Sequence, residues 1–295
     1  MAALGSLARG RGRRIVLRTI FYSAAIFVGL PLAFAHVMTR AHRGPVSPTP
    51  PAGWGALSLH ADGLRLRAWT APGRPGRAAV VVAHGVGDSL ESFTDFGRSL
   101  RARGHPVLLL DLRGHGGSEG HLSTLGGHES RDVGAALDHL RGDPAGQEGV
   151  IVIGFSMGAV ASLLASAGRD DVRAVVAEAP YDTYRNTIRH HAWLLYRIPR
   201  WLPIVPLSIA AAEWRAGFDA DDVDAVAAAR RLRAPLLAIV DGADDRMPEA
   251  VVRRVFDAHR GPGRLWVAPG AGHVGASLLP DYWPVLTGFL EEHGL

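Results

Sequence analysis

Five residues, Gly154-Phe155-Ser156-Met157-Gly158, carry the strongest chemical signal in the chain because of what flanks them. Before them runs Val150-Ile151-Val152-Ile153, an apolar stretch suited to a buried strand. After them comes Ala159-Val160-Ala161-Ser162-Leu163-Leu164-Ala165, small and helix-prone. A strand that turns at once into a helix holds the serine in a strained backbone conformation and lifts its hydroxyl clear of the sheet edge. Glycines two residues to either side are wanted there, where a side chain would collide with strand and helix. Such a serine is a candidate nucleophile for acyl transfer. The pattern recurs at Gly116-Gly117-Ser118-Glu119-Gly120, but that copy leads into Gly120-His121-Leu122-Ser123-Thr124, where no helix begins. Context selects Ser156.

A serine nucleophile needs a base, an acid to orient it and donors for the oxyanion. After the apolar run Ala78 to Ala83 comes His84-Gly85-Val86-Gly87, where glycines let the backbone pass close to the nucleophile. The Val86 N–H, with the Met157 N–H at the helix start, is placed to bind a developing oxyanion. After Pro235 to Val240 comes Asp241-Gly242-Ala243-Asp244-Asp245-Arg246-Met247-Pro248, with three carboxylates of which only one can orient an imidazole. After Leu265 to Ala268 comes Pro269-Gly270-Ala271-Gly272-His273. Of the 14 histidines, His273 alone combines a strand-end position with a place after both serine and acid.

Other polar residues carry weaker signals. Asp111-Leu112-Arg113-Gly114-His115-Gly116-Gly117-Ser118 reads as a tight structural turn with Asp111 and Arg113 paired inside it. Glu178 and Asp182 are the carboxylates available to hold a substrate's free amine. His190 and His191 are adjacent, so they point apart on a helix, and no third ligand sits at the same-face spacing; a metal site there is not expected.

The elements that must position these residues alternate along the chain. Leu57 to His60 and Leu64 to Trp69 read as an opening hairpin across Ala61-Asp62-Gly63. The runs Ala78 to Ala83, Val107 to Leu110, Val150 to Ile153, Val172 to Ala177, Pro235 to Val240 and Leu265 to Ala268 lack alternation, as central parallel strands do. Helices are predicted over Ser89 to Arg103, Gly127 to Arg141, Met157 to Ala167, Pro248 to His259 and Tyr282 to His293. The pattern specifies an α/β fold with a mostly parallel, doubly wound sheet, whose chemistry gathers outside the carboxyl ends of the strands. Between Ala177 and Pro235 the segment 181–233 is too long for a simple crossover and reads as a helical cap. It is rich in apolar residues, among them Trp193, Trp201 and Trp214, which are expected to line a hydrophobic acyl or alcohol pocket.

From Leu57 to Leu295 the chain resembles the α/β-hydrolase superfamily. It is most similar to membrane-anchored or secreted bacterial hydrolases of the serine aminopeptidase S33-like and BEM46-like groups. The matching pieces are His84-Gly85, the turn Asp111 to Ser118, Gly154 to Gly158, Gly242-Ala243-Asp244-Asp245 and Gly270 to His273. The resemblance implies a triad of Ser156, Asp245 and His273, because the family spacing of Gly, two residues, then Asp falls on Gly242 and Asp245; Asp244 is the alternative. It implies a serine hydrolase that needs no cofactor, acting on a hydrophobic carboxylic ester. Aminopeptidase or amidase, acyltransferase and perhydrolase activities are the alternatives on the same fold, and a catalytically silent receptor or interaction domain is the alternative outside enzymes.

Charge is unevenly placed. Residues 1 to 43 hold Arg9, Arg11, Arg13, Arg14, Arg18, Arg40 and Arg43 and no acid, while the whole chain has 32 basic and 28 acidic side chains. The body is therefore mildly acidic, which argues against a nucleic-acid surface. With no cysteine, disulfides, thiolate metal sites and cysteine nucleophiles are excluded. The nearly uncharged stretch from Thr19 to Met38 is about long enough to cross a bilayer and reads as a membrane or export signal outside the fold. More arginines precede it than follow it, so the N-terminus is expected in the cytoplasm and residues 54–295 on the outer side. An uncleaved anchor and an exported chain cut after Ala33-Phe34-Ala35 are both consistent with these flanks, and Arg13-Arg14 weakly resembles a twin-arginine signal. Residues 44–53, with Pro45, Pro48, Pro50 and Pro51, read as a semi-rigid spacer.

Overall fold

The opening hairpin folds as β1 (Gly55–Ala61) and β2 (Leu64–Ala71), and the six apolar runs fold as β3 (Ala79–Ala83), β4 (Val107–Leu110), β5 (Val150–Phe155), β6 (Val172–Glu178), β7 (Leu236–Asp241) and β8 (Gly263–Ala268). The computed structural model describes residues 2–199 and 201–295, with side chains from Gly12 onward; Arg200 and the side chains of Arg9 and Arg11 lie outside the described residues. The strands form one eight-stranded sheet in the order β1-β2-β4-β3-β5-β6-β7-β8. Pairing is antiparallel from β1 through β2 to β4 and parallel from there on.

Continuous apolarity has the expected cause: every residue of β3, β4, β5 and β7 is buried. Successive side chains point to opposite faces. Ala79, Val81 and Ala83 join a core with α4 (Glu129–Arg141), α5 (Met157–Ser166), α8 (Ala225–Arg231) and α9 (Glu249–Ala258). Val80 and Val82 join a second core with α3 (Thr94–Ala102) and α10 (Tyr282–Glu292). Because β3, β5, β7 and β8 run parallel, the loops that leave their carboxyl ends meet at one edge of the sheet.

The insertion between β6 and β7 contains α6 (Tyr184–Tyr196), α7 (Ile204–Ala216) and a short turn at Ala220–Asp222. Thr183 starts α6 by accepting from Asn186 N–H, and a left-handed Arg197 ends it before Pro199. The cap is smaller than 181–233, because α8 packs on α5 and α9 and belongs to the body.

Three local readings need correcting. Asp111 and Arg113 do not pair with each other: Asp111 meets Arg67 at 3.1 Å, and Arg113 forks onto buried Asp132 at 2.6 Å and reaches Asp62 at 3.0 Å. Residues 44–53 are not a free spacer. Ser47 N–H donates to Glu91, and the Arg67 guanidinium to the Ser47 carbonyl. Just before them, His42 bridges to His115.

The third concerns the N-terminus, a continuous helical segment: α1 (Ala2–Ala24), a π-helical turn at Ala25–Gly29 and α2 (Leu30–Thr39). Its span Gly12–Thr39 is long and apolar enough to cross a membrane. Yet α2 is part of the fold. Pro31, Ala35 and Thr39 are buried where α2 packs on α7, and Arg215 Nε donates to Thr39 Oγ1 at 3.0 Å.

Candidate active site

Ser156 stands between β5 and α5 with φ 52° and ψ −113°, a backbone conformation that costs an L-residue energy and that the surrounding structure must enforce. The enforcement is steric. A side chain at Gly158 would run into the Ala83 and His84 carbonyl oxygens, and one at Gly154 into the backbone of Gly158 and Ala159. Both glycines are therefore required by close packing of helix against sheet. Gly85 is less constrained, since an added Cβ would stand 3.5 Å from Ser156 Cβ, ordinary contact distance. Ser118 has a structural place: its hydroxyl donates to the Asp111 carbonyl and accepts from Arg67 N–H, and it is buried.

His273 Nε2 lies 3.0 Å from Ser156 Oγ, and His273 Nδ1 lies 2.6 Å from Asp244 Oδ2. A carboxylate only accepts, so Nδ1 carries the proton and Nε2 is free to accept from the serine hydroxyl. The acid brought to the imidazole is Asp244, not Asp245. An Asp244 N–H to Asp241 C=O hydrogen bond closes a turn at the end of β7, and Ala243 N–H donates to Ala271 of the histidine loop. This turn aims Asp244 back at His273. Asp245, one residue on, is exposed, and its backbone carbonyl accepts from His190 Nε2 at 2.7 Å.

The electrostatics separate three carboxylates. For Asp244, burial alone would raise the pKa, but hydrogen bonding and charge from His273, with the N–H groups of Met247 and Arg246, outweigh it and hold the carboxyl below its ordinary value. Asp241 is raised, first by burial, although Val274 and Ala276 N–H donate to it. Glu178 is raised well above the usual range by burial and then by the neighbouring Asp241 charge. Glu178 and Asp241 both accept from Ala276 N–H, so they fasten the loop that presents His273. Asp241, Asp244 and His273 stand close enough to suggest a metal cluster, but their facing atoms are occupied by these hydrogen bonds.

Ser156 and His273 open into a cavity of about 520 Å³ that Val86 and Met157 also line. Met157 is the first residue of α5, where helical geometry leaves the N–H without an intrahelical acceptor. The walls are mostly apolar, from Leu125, Ile188, Leu195, Ile204, Val205 and Met247. Trp193, Trp201 and Trp214 do not line it. They are 48%, 81% and 81% exposed, because the cap turns its aliphatic side inward and these indoles out. Glu178 and Asp182 are also outside it, the latter paired with Arg254 at 2.8 Å. Among the described lining residues, Asp88 is the one carboxylate.

Residues 74–212 match the family model described as serine aminopeptidase, S33. The match covers just under half of the chain, which is thus similar in part to that family and has the α/β-hydrolase fold. Rv2307c of Mycobacterium tuberculosis (strain H37Rv), an uncharacterized protein, is 29% identical over 235 residues, 78% of this chain and 75% of that one. YqkD of Bacillus subtilis (strain 168), also uncharacterized, is 27% identical over 198 residues, 66% of this chain and 64% of its own, so the match spans just under two thirds of that relative. Among solved structures, the Pyrococcus furiosus esterase PF2001 superposes with a TM-score of 0.67 at 22% identity, over 86% of this chain and 98% of that one. That likeness shows the fold.

In this fold the cavity has a wall the sequence reading did not anticipate. Phe34, Val37 and Met38 of α2, with His42 just beyond, line it beside the cap. A signal was present in the spacing. Pro31, Ala35 and Thr39 recur every four residues, a stripe of small side chains on one helix face that permits close packing, and it is the face buried on α7.

Proposed function

We propose that the chain is a serine carboxylic ester hydrolase with Ser156 as nucleophile, His273 as general base and acid, and Asp244 as the group that orients His273. Ser156 Oγ attacks the ester carbonyl carbon as its proton passes to His273 Nε2. The oxyanion faces the Val86 and Met157 N–H groups. The intermediate collapses to an acyl-serine when His273 returns the proton to the departing alcohol, and water deprotonated by His273 then releases the acid. Asp244 keeps the Nδ1–H in place and stabilises the imidazolium.

The observation that carries this reading is the unbroken hydrogen-bond line from Asp244 through His273 to Ser156 at the edge of an apolar cavity. An apolar lining favours an acyl chain over a charged peptide end. Labelling with a fluorophosphonate, followed by a panel of esters from acetate to oleate, tests the proposal. Ser156 should be the labelled residue and esters should turn over faster than aminoacyl arylamides. Faster cleavage of the arylamides would favour a peptidase, with Asp88 as the group facing the amine.

The reading extends to location. The helix Gly12–Thr39 is proposed as an uncleaved anchor, with the N-terminus in the cytoplasm and the catalytic domain on the outer side. Support comes from the arginine asymmetry about the apolar stretch and from the burial of Ala35, whose peptide bond a signal peptidase would have to reach.

A further inference from the structure

The two halves of the N-terminal helical segment have different surroundings. From Ile15 to Val28 its apolar side chains, including Leu17, Ile20, Phe21 and Phe27, are exposed. Residues 12–29 at 1.5 Å per residue reach about 27 Å, close to the thickness of a bilayer's hydrocarbon core, with Arg13, Arg14 and Arg18 toward the N-terminal end, where long basic side chains snorkel to the headgroups. From Leu30 onward the same helix lies against the cap, with Ala35 and Thr39 buried on α7. On its cavity side, Phe34, Val37 and Met38 form a wall of the space that ends at Ser156. The wall of the cavity thus begins where the lipid-suited stretch ends.

The mouth points to the same boundary. Val37, Leu195 and Tyr196 line the cavity and are also exposed, so they form its rim, and Phe34 meets Tyr196 edge to face at 5.1 Å. Trp201, between Ile198 and Ile204 of the cavity lining, and Leu207, in the first turn of α7, are exposed, and α7 also packs beside the π-helical turn at Ala25–Gly29. Tryptophan and tyrosine beside an emerging apolar helix are placed as interfacial anchors. An apolar rim of this kind would be poorly solvated in water, whereas at the headgroup level it is continuous with lipid.

We infer that the cavity opens onto a lipid bilayer, and that the substrate is a long-chain acyl ester drawn sideways from the membrane between α2 and the end of α6. This rests on the serine esterase reading above. It makes the N-terminal helix part of the substrate path, since cleavage after Ala35 would remove Phe34 from the wall.

The full chain, reconstituted in phosphatidylcholine vesicles, provides the test with two probes: 4-methylumbelliferyl oleate within the bilayer and 4-methylumbelliferyl acetate in the water phase. The double substitution Trp201→Glu and Leu207→Glu lies outside the cavity, so acetate turnover should be unchanged while oleate turnover falls about fivefold or more, because two carboxylates replace the apolar side chains that seat the mouth on the interface. An equal effect on both esters, or none on either, would overturn the inference. Phosphatidylcholine brominated near its headgroup gives a second measurement: it should quench tryptophan emission of the parent, and less so in Trp201→Phe. Identical quenching would place Trp201 away from lipid and overturn the inference without touching the esterase reading. If neither ester turns over and Ser156 is not labelled, the esterase reading itself fails and this inference falls with it.

Discussion

Ser156 and Ser118 sit in the same five-residue pattern, and only their neighbours distinguish them. Ser156 Oγ faces an imidazole at 3.0 Å, whereas the Ser118 hydroxyl is consumed by backbone partners. Ser156→Ala should therefore abolish fluorophosphonate labelling and lower ester turnover by about 10⁴ or more, while Ser118→Ala keeps the label. Loss of labelling in both, on folded protein, would contradict the assignment. A second contrast separates the paired aspartates. Asp244→Asn should cost about 10³ to 10⁴ in kcat by disturbing the tautomer and losing the charge beside the imidazolium, and Asp245→Asn less than about tenfold, because its side chain does not meet His273. Steady-state kinetics on the two variants decide between them. That Ser156 and His273 would meet was legible from the sequence, since residue type and strand-end position specify them together. Which carboxylate would meet the imidazole was not. Which of two adjacent carboxylates faces inward depends on how the Asp241–Asp244 turn closes, a hydrogen-bond detail that spacing alone does not encode.

At the scale of elements, the strands and body helices were legible because burial on both faces writes itself as uninterrupted apolar runs, and the β5 to α5 bend because its glycines have no alternative. The cap was legible as an insertion but not in its orientation: an apolar helix announces that it packs, not which side it turns inward, and so the three tryptophans expected in the pocket are outside it. The loop that carries His273 shows another hidden dependence. Glu178, at the end of β6, is fully buried and helps hold Ala276 N–H alongside Asp241. Burial, and then the Asp241 charge, raise its pKa well above the ordinary 4.5, so the native state keeps a proton that the unfolded chain releases near that pH. The stabilising contribution is fully present below the unfolded value and is lost as pH rises through the folded one. Glu178→Gln keeps the shape and the acceptor while removing the ionisation. Its unfolding midpoint, relative to the parent, should rise between about pH 5 and pH 8. A relative midpoint that falls over the same range would mean that Glu178 is ionised in the native state and that its charge holds the loop.

For the whole molecule, the decisive relation is between the sheet edge and the N-terminal helix, which sequence reading treats as separate parts. In the proposed topology, the arginines before the apolar span and the fewer after it set the orientation of the helix by the positive-inside bias. α2 docks on α7 with no free spacer between helix and domain, so an anchor as proposed would hold the domain against whichever side of the membrane receives Thr39. On that proposal the orientation of the helix would determine which leaflet the cavity faces. In intact cells with a permeabilised outer wall, a tag at Leu295 should be accessible to added protease while one at Met1 is protected. The chain recovered from membranes should keep its N-terminus. Release of a soluble chain beginning at His36 would show that α2 is cut within its docked region, and long-chain turnover should then be lost with the Phe34 wall even if short esters are still cleaved. Protection of the Leu295 tag until lysis would reverse the topology. The cavity would then face the cytoplasmic leaflet, and the docking of α2 would still couple substrate entry to the membrane, from the opposite side.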